Sequence, residues 1–165
     1  MQKIASFQIN HDTLIPGLYV SRVDGDVVTY DLRMRIPNQG DYLSTAAAHT
    51  LEHLFATYVR SSAYSSRIVY VGPMGCRTGF YFLVRESVSR QEVLTLLRET
   101  FGFIRAFEGE IPGAKRIECG NYLDHDLHQA KKEAAAYFNT LSRWTAEDMV
   151  YPDKTLKKGC PWRRL

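Results

Sequence analysis

A chain of 165 residues that is 45% hydrophobic and 24% charged has the make-up of an ordinary globular protein. It is long enough to bury roughly two-thirds of its unfolded surface in one core. Its net charge of +3 is concentrated in a short stretch: from Tyr151 to Leu165 five basic residues stand against Asp153, a local +4 that leaves residues 1–150 at −1. No basic face of nucleic-acid type therefore covers the body. The apolar runs are short and broken by charges, which excludes a transmembrane span, and Met1–Ser6 has no apolar signal-peptide core. The expectation is a cytoplasmic protein with one domain over 1–150 and a solvated basic tail over 151–165. The odd set of cysteines, Cys76, Cys119 and Cys160, fits thiols or metal ligands better than disulfides in that setting.

Lys3–Ile9 alternates loosely and reads as an edge strand. Leu18–Val23 and Val27–Ile36 flank Asp24-Gly25-Asp26, a hairpin signal. Alternation in the second strand puts Arg33 and Arg35 on one face and Leu32, Met34 and Ile36 on the other. Pro37-Asn38-Gln39-Gly40 ends it. Ser44 to Ala63 reads as a helix capped by Ser44 or Thr45, with Ala47, Leu51, Leu54, Phe55 and Tyr58 at helical spacing. Arg67–Val71 and Phe80–Val84 are short strands joined by the glycine-punctuated turn Gly72–Gly79. Ser89-Arg90-Gln91-Glu92 is a capping box opening a helix whose apolar stripe runs from Val93 to Phe107. A last amphipathic helix spans about Asp126 to Arg143. Strands early and few amphipathic helices argue an α+β fold, an antiparallel β-sheet with helices packed on one face.

The chemistry centres on His49-Thr50-Leu51-Glu52-His53. Residues four apart share one helix face, so both imidazoles can hold one divalent metal. Glu52 sits at the edge of that face, placed to move protons without being a ligand. The pattern H-x-x-E-H is the inverted zincin motif. A useful site needs a third ligand, and Cys76, Cys119, Asp124, His125, His128 and downstream glutamates are candidates. Spacing leaves Cys119 and a carboxylate such as Glu118 or Glu133 as equal choices. Cys76, set between glycines on its turn, has Arg77 beside it as a cation able to favour the thiolate.

Taken together, His49-Thr50-Leu51-Glu52-His53, Pro73-Met74-Gly75-Cys76-Arg77-Thr78-Gly79-Phe80-Tyr81 and Cys119-Gly120-Asn121-Tyr122 resemble the S-ribosylhomocysteine lyase family, the LuxS autoinducer-2 synthases. Ser6-Phe7 with His11, and Asp31-Leu32-Arg33 with Pro37-Asn38, match further blocks, so the resemblance runs from Ser6 to the last helix. It implies a metalloenzyme fold related to the inverted zincins. It also implies a cytoplasmic homodimer with active sites at the interface, and one divalent metal per subunit held by His49, His53 and Cys119. Fe(II) is the native ion of the family, with Zn(II) or Co(II) as substitutes. The implied reaction is carbon–sulfur cleavage of S-ribosyl-L-homocysteine to L-homocysteine and 4,5-dihydroxy-2,3-pentanedione, the precursor of autoinducer-2. That reaction serves both the methyl cycle and quorum sensing.

The implied chemistry accounts for the residue set. The thioether can leave only when a carbonyl stands beta to it, so the sugar carbonyl migrates from C1 through C2 to C3 by way of enediolates. A metal acts as Lewis acid on the developing charge, and groups able to give and take protons are required. Cys76 and Glu52 fill that role, Cys76 for the early transfers and Glu52 for the later ones and elimination. Ser6, His11 and Arg33 match residues that contact the ribose. One departure stands out: many members carry Asp where this chain has Tyr70, holding the amino-acid end of the substrate, and Ser where it has Gly72. Two rival readings are an inverted-zincin peptidase, whose third ligand would be a downstream glutamate, and a catalytically silent metal-binding homologue.

Overall fold

The computed structural model describes residues 7–152. Four strands form one sheet in the order β1-β2-β4-β3, every pair antiparallel: β1 (Gly17–Asp24), β2 (Val27–Arg33), β3 (Ile68–Pro73) and β4 (Gly79–Arg85). Three helices complete the fold: α1 (Thr45–Arg60), α2 (Arg90–Ala106) and α3 (Leu127–Ser142). The α+β expectation holds.

Local chemistry explains the elements. Gly25, at φ 60°, closes the two-residue turn between β1 and β2, in a conformation glycine adopts without steric cost. Each helix begins on a side-chain cap. Ser44 Oγ accepts from Ala47 N, Asp126 from Gln129 N, and Ser89 and Glu92 form the reciprocal capping box.

Register places Val20, Tyr30, Phe82 and Val71 in one line across the sheet, and Leu18, Leu32 and Phe80 in the next. These side chains make the floor of the core on which the helices sit. Phe55 of α1 joins the layers, its ring 5.3 Å from Phe82 and 5.5 Å from Phe101 of α2, which meets Tyr137 of α3 at 4.9 Å.

The other sheet face is unlike the core. Tyr19, Asp31, Tyr81 and Gly72 share a line across it, with Arg33 two residues beyond Asp31. Leu14 and Tyr151 cover Tyr19 at one side, Tyr151 stacking on it at 4.9 Å. Toward β3 the face opens, and Tyr70 is 53% exposed. The segment after α3 is tied to β1 by Trp144 Nε1 donating to Leu18 O and by Val20 N donating to Met149 O.

Three local expectations are corrected. Phe7–Ile9 form no strand, and the rest of the expected edge strand lies outside the described residues. The second strand stops at Arg33 because Thr78 O accepts from both Met34 N and Arg35 N, which ends the ladder, and Ile36 beyond it is exposed. Arg33 and Arg35 consequently do not share a face environment: Arg33 binds Asp31, whereas Arg35 turns to Glu133 of α3 and to Asp41. Tyr151, the first residue of the expected tail, is buried, and residues 153–165 of that tail lie outside the described residues.

Candidate active site

One turn of α1 brings the His49 and His53 rings to 4.7 Å centroid separation. His49 Nδ1 lies 2.9 Å from Asp124 O, and His53 Nδ1 lies 2.7 Å from Pro112 O. A carbonyl can only accept, so both Nδ1 atoms carry the proton and both Nε2 lone pairs are free. This is the outer-shell arrangement that orients metal-binding histidines. Gly113, at φ 73°, follows the Pro112 carbonyl, and a Cβ there would lie 3.2 Å from His53 Nδ1.

Cys119 approaches from the α2–α3 connection, its Sγ 3.4 Å from His49 Nε2 and accepting from Asn121 N. His125 completes the group. Its ring stacks on His49 at 4.1 Å and stands edge-on to His53 at 4.8 Å. Thr50 Oγ1 gives its proton to Ala46 O, so it accepts from Asp126 N at 2.9 Å and from His125 Nδ1 at 3.2 Å. His125 Nε2 is then a bare acceptor, buried and without a hydrogen-bond partner among the described residues. Burial, and then the neighbouring His49 and His53, hold the His125 imidazole below its usual pKa.

One ligand atom from each of His49, His53, Cys119 and His125 lies within 4.8 Å of the others. Imidazole nitrogens and a thiolate are the donors that a borderline-soft divalent metal takes, so the residues fit such an ion. Glu52 lies just outside, its carboxylate 3.8 Å from His53 Nε2 and about one-third exposed. The glutamate ligand of the peptidase reading is not available. Both Glu133 oxygens are 2.6 Å from Arg35 Nη2, one of them also accepts from Gln129 Nε2, and Glu118 is not in the cluster.

Of the remaining predicted residues, Cys76, Arg33 and His11 gather on the helix-free sheet face. Cys76 is exposed, and its Sγ lies 3.1 Å from Thr78 Oγ1, which accepts from Arg33 Nη1. Arg33 Nη2 donates to Asp31 Oδ2 at 2.6 Å, and the Tyr151 hydroxyl donates to the same oxygen at 2.9 Å. Arg33 is therefore no surface arginine: it is 2% exposed, and Asp31 is 0% exposed. Burial pushes the Asp31 carboxyl above its usual pKa although Arg33 opposes the shift. For Arg33, burial disfavours the charge, but Asp31 outweighs it and holds the guanidinium above its ordinary value. Gly79 makes this geometry possible, because a Cβ there would meet Leu32 O at the β2–β4 crossing beside Thr78. Arg77, the cation expected beside Cys76, instead sits over the Tyr42 ring at 5.8 Å, and Arg33 supplies the charge through Thr78.

His11 is half-buried, its Nδ1 donating to Ile9 O, and near enough to Asp31 to favour the carboxylate. Ser6 lies outside the described residues. Among the described residues no hydrogen bond or ion pair joins the Cys76 group to the histidine group.

The sequence model of the S-Ribosylhomocysteinase (LuxS) family matches residues 4–148. The chain belongs to that family. It is 50% identical over 159 residues to an S-ribosylhomocysteine lyase of Porphyromonas gingivalis, covering 93% of this chain and 100% of that one. It is 46% identical over 158 residues to the Clostridium acetobutylicum enzyme of the same name, with the same coverage, and 47% identical over 160 residues to that of Phocaeicola vulgatus, 93% and 99% covered. Against this LuxS background, Thr50, Thr78 and Tyr151 are the structural partners that residue reading did not single out. Asp31 stands in a matching block with Arg33, and the two-residue spacing puts both on one side of a strand.

Proposed function

We propose that the protein is an S-ribosylhomocysteine lyase, acting as a homodimer in the cytoplasm with one divalent metal per subunit. Fe(II) is the ion we assign, with Zn(II) or Co(II) able to replace it. The observation that carries this reading is the set of Nε2 lone pairs left free on His49 and His53, with the Cys119 sulfur 3.4 Å from one of them.

A divalent metal held there supplies Lewis-acid stabilisation for negative charge developing on the sugar oxygens. The chain's own residues then move the protons. In each carbonyl migration a proton leaves one carbon and is returned to its neighbour. In the last step the C4 proton is removed and the homocysteine sulfur departs from C5. Cys76 serves the early transfers. Glu52, one-third exposed at the edge of the histidine face, serves the later ones and elimination. Ser6 and His11 contact the ribose; the family resemblance gives Arg33 the same role, whereas its guanidinium is buried against Asp31 and Thr78 and lies behind the Thr78 hydroxyl. That no hydrogen bond or ion pair joins the Cys76 group to the histidine group among the described residues favours a site completed by a second copy, and the exposed Tyr70 on the helix-free face is apolar surface that such a copy would cover.

The test is release of free homocysteine from S-ribosylhomocysteine, read with a thiol reagent under anaerobic Fe(II) conditions. Thiol release by the intact protein and loss of bound metal in Cys119→Ala are expected. Full metal occupancy without thiol release would sink the reading and leave a silent metal-binding homologue.

A further inference from the structure

We propose that Tyr151 and Asp31 are positioning residues, which hold the Arg33 guanidinium against Thr78 so that the Thr78 hydroxyl donates to the sulfur of Cys76. The inference rests on the reading of Cys76 as the proton-transferring thiol.

Its direction follows from donor chemistry. A guanidinium has only N–H donors, so Thr78 Oγ1 accepts from Arg33 Nη1 and keeps its own proton. Cys76 Sγ, 3.1 Å away, is within reach of that proton, whereas Met74 Sδ is at 4.0 Å. A hydroxyl polarised by a cation on one side is a stronger donor on the other, and a thiolate is the better acceptor. Arg33 thus acts on Cys76 through an intervening hydroxyl.

Arg33 in turn depends on what holds it. Asp31 is two residues earlier on the same face of β2, and its Oδ2 accepts from Arg33 and from Tyr151. The other oxygen, Oδ1, is buried with no partner among the described residues, so Tyr151 and Arg33 supply the side-chain hydrogen bonds this carboxylate receives. Tyr151 is fixed by stacking on Tyr19, the cross-strand neighbour of Asp31. The series Tyr151, Asp31, Arg33, Thr78, Cys76 therefore runs from a buried ring to an exposed sulfur. The ionisable groups facing it include Tyr19 from β1, Tyr81 from β4, Tyr137 from α3 and His11 from the N-terminal segment.

The experiment measures alkylation of Cys76 by iodoacetamide in the metal-loaded protein. The Cys76 peptide is read by mass spectrometry so that Cys119 and Cys160 do not contribute. Rates are taken at about pH 6.5 and about pH 9.5, either side of the ordinary cysteine midpoint. Thr78→Val is expected to lower the rate about threefold at the lower pH: about a tenfold loss of thiolate, offset in part because a more basic sulfur is the better nucleophile. At the higher pH the order reverses and the variant reacts faster. Thr78→Ser restores wild-type behaviour at both. Tyr151→Phe, which keeps the ring on Tyr19, gives the same crossing at about twofold. Simple loosening of the turn would speed the reaction at both pH values, and that result overturns the proposal. So does a Tyr151→Phe rate equal to wild type at both. No substrate enters this measurement, so a failure of thiol release from S-ribosylhomocysteine would remove the lyase reading and leave the positioning series standing.

Discussion

Thr50→Val removes one hydroxyl and keeps the side chain's shape, and the structure makes its cost calculable. Thr50 is fully buried. Its Oγ1 accepts from Asp126 N, at the residue that caps α3, and from the Nδ1 of His125. Valine leaves both donors without their acceptor in a part-buried place. At about 1–1.5 kcal/mol for each abandoned donor, the loss is about 2–3 kcal/mol. For a chain of this size that lowers Tm by about 5–10 °C. The metal-free protein is the right sample for thermal unfolding, since bound metal adds stability of its own. The same substitution frees the chain between Asp124, whose carbonyl orients His49, and the start of α3. Metal affinity, measured by competition with a chelator, falls about tenfold, the lower end for losing an outer-shell partner. Thr50→Ser keeps the oxygen and recovers most of both effects. A fall in Tm under about 2 °C with unchanged affinity would refute the reasoning, because it would mean that neither donor depends on this oxygen.

Three further outcomes follow from single contacts. Glu133→Gln removes the charge that faces the mostly buried Arg35 guanidinium, leaving Asp41, 3.1 Å from Nε, as its anion, and lowers stability in urea titration by about 1–3 kcal/mol without changing metal affinity. Gly72→Ser sets a Cβ onto the Tyr70 ring, which must swing outward. In a double-mutant cycle with Tyr70→Asp the coupling is about 0.5–1 kcal/mol, and a value of zero would mean that the two positions are independent. Glu92 titrates low because the Ser89 hydroxyl, and then the Ser89 backbone N–H, bind its carboxylate. A depressed folded pKa contributes stability above the unfolded value of about 4.3 that is lost as pH falls through the folded one. Thermal scans of Glu92→Gln below about pH 4.5 therefore show a shallower acid decline than wild type.

What was legible in the residues was what is local. The His49–His53 pair, the Ser44 and Ser89 caps and the Gly25 turn each depend on spacings of a few residues, and each appears where helix or hairpin geometry requires it. Spacing does not choose between Cys119 and Glu133 as partner to the two histidines; Arg35, 98 residues from Glu133 in sequence, occupies both oxygens of Glu133, and Cys119 stands in the cluster. The burial of Arg33 is not legible for the same reason: Asp31 is two residues away, but Tyr151, which donates to Asp31, lies 120 residues beyond it. Arg77 was the obvious cation for Cys76 because it is adjacent. Its φ of 59° belongs to a turn that lays its side chain over Tyr42 instead.

The two groups of site residues are also held by different means, and the difference fits what each must do. His49 and His53 are aimed by backbone carbonyls, Asp124 O and Pro112 O, which stay where the main chain puts them whether or not a metal is present. A metal site gains from such fixed aim, since ligands already in place lose little freedom on binding. Cys76 is aimed by side chains: a hydroxyl, a guanidinium and a carboxylate in series. In the proton-transfer role proposed for Cys76, a thiol needs a partner whose donation can strengthen as charge forms on sulfur and relax as it is quenched. A hydroxyl backed by a permanent cation meets that need, and a backbone N–H fixed in a turn would hold the thiolate alone.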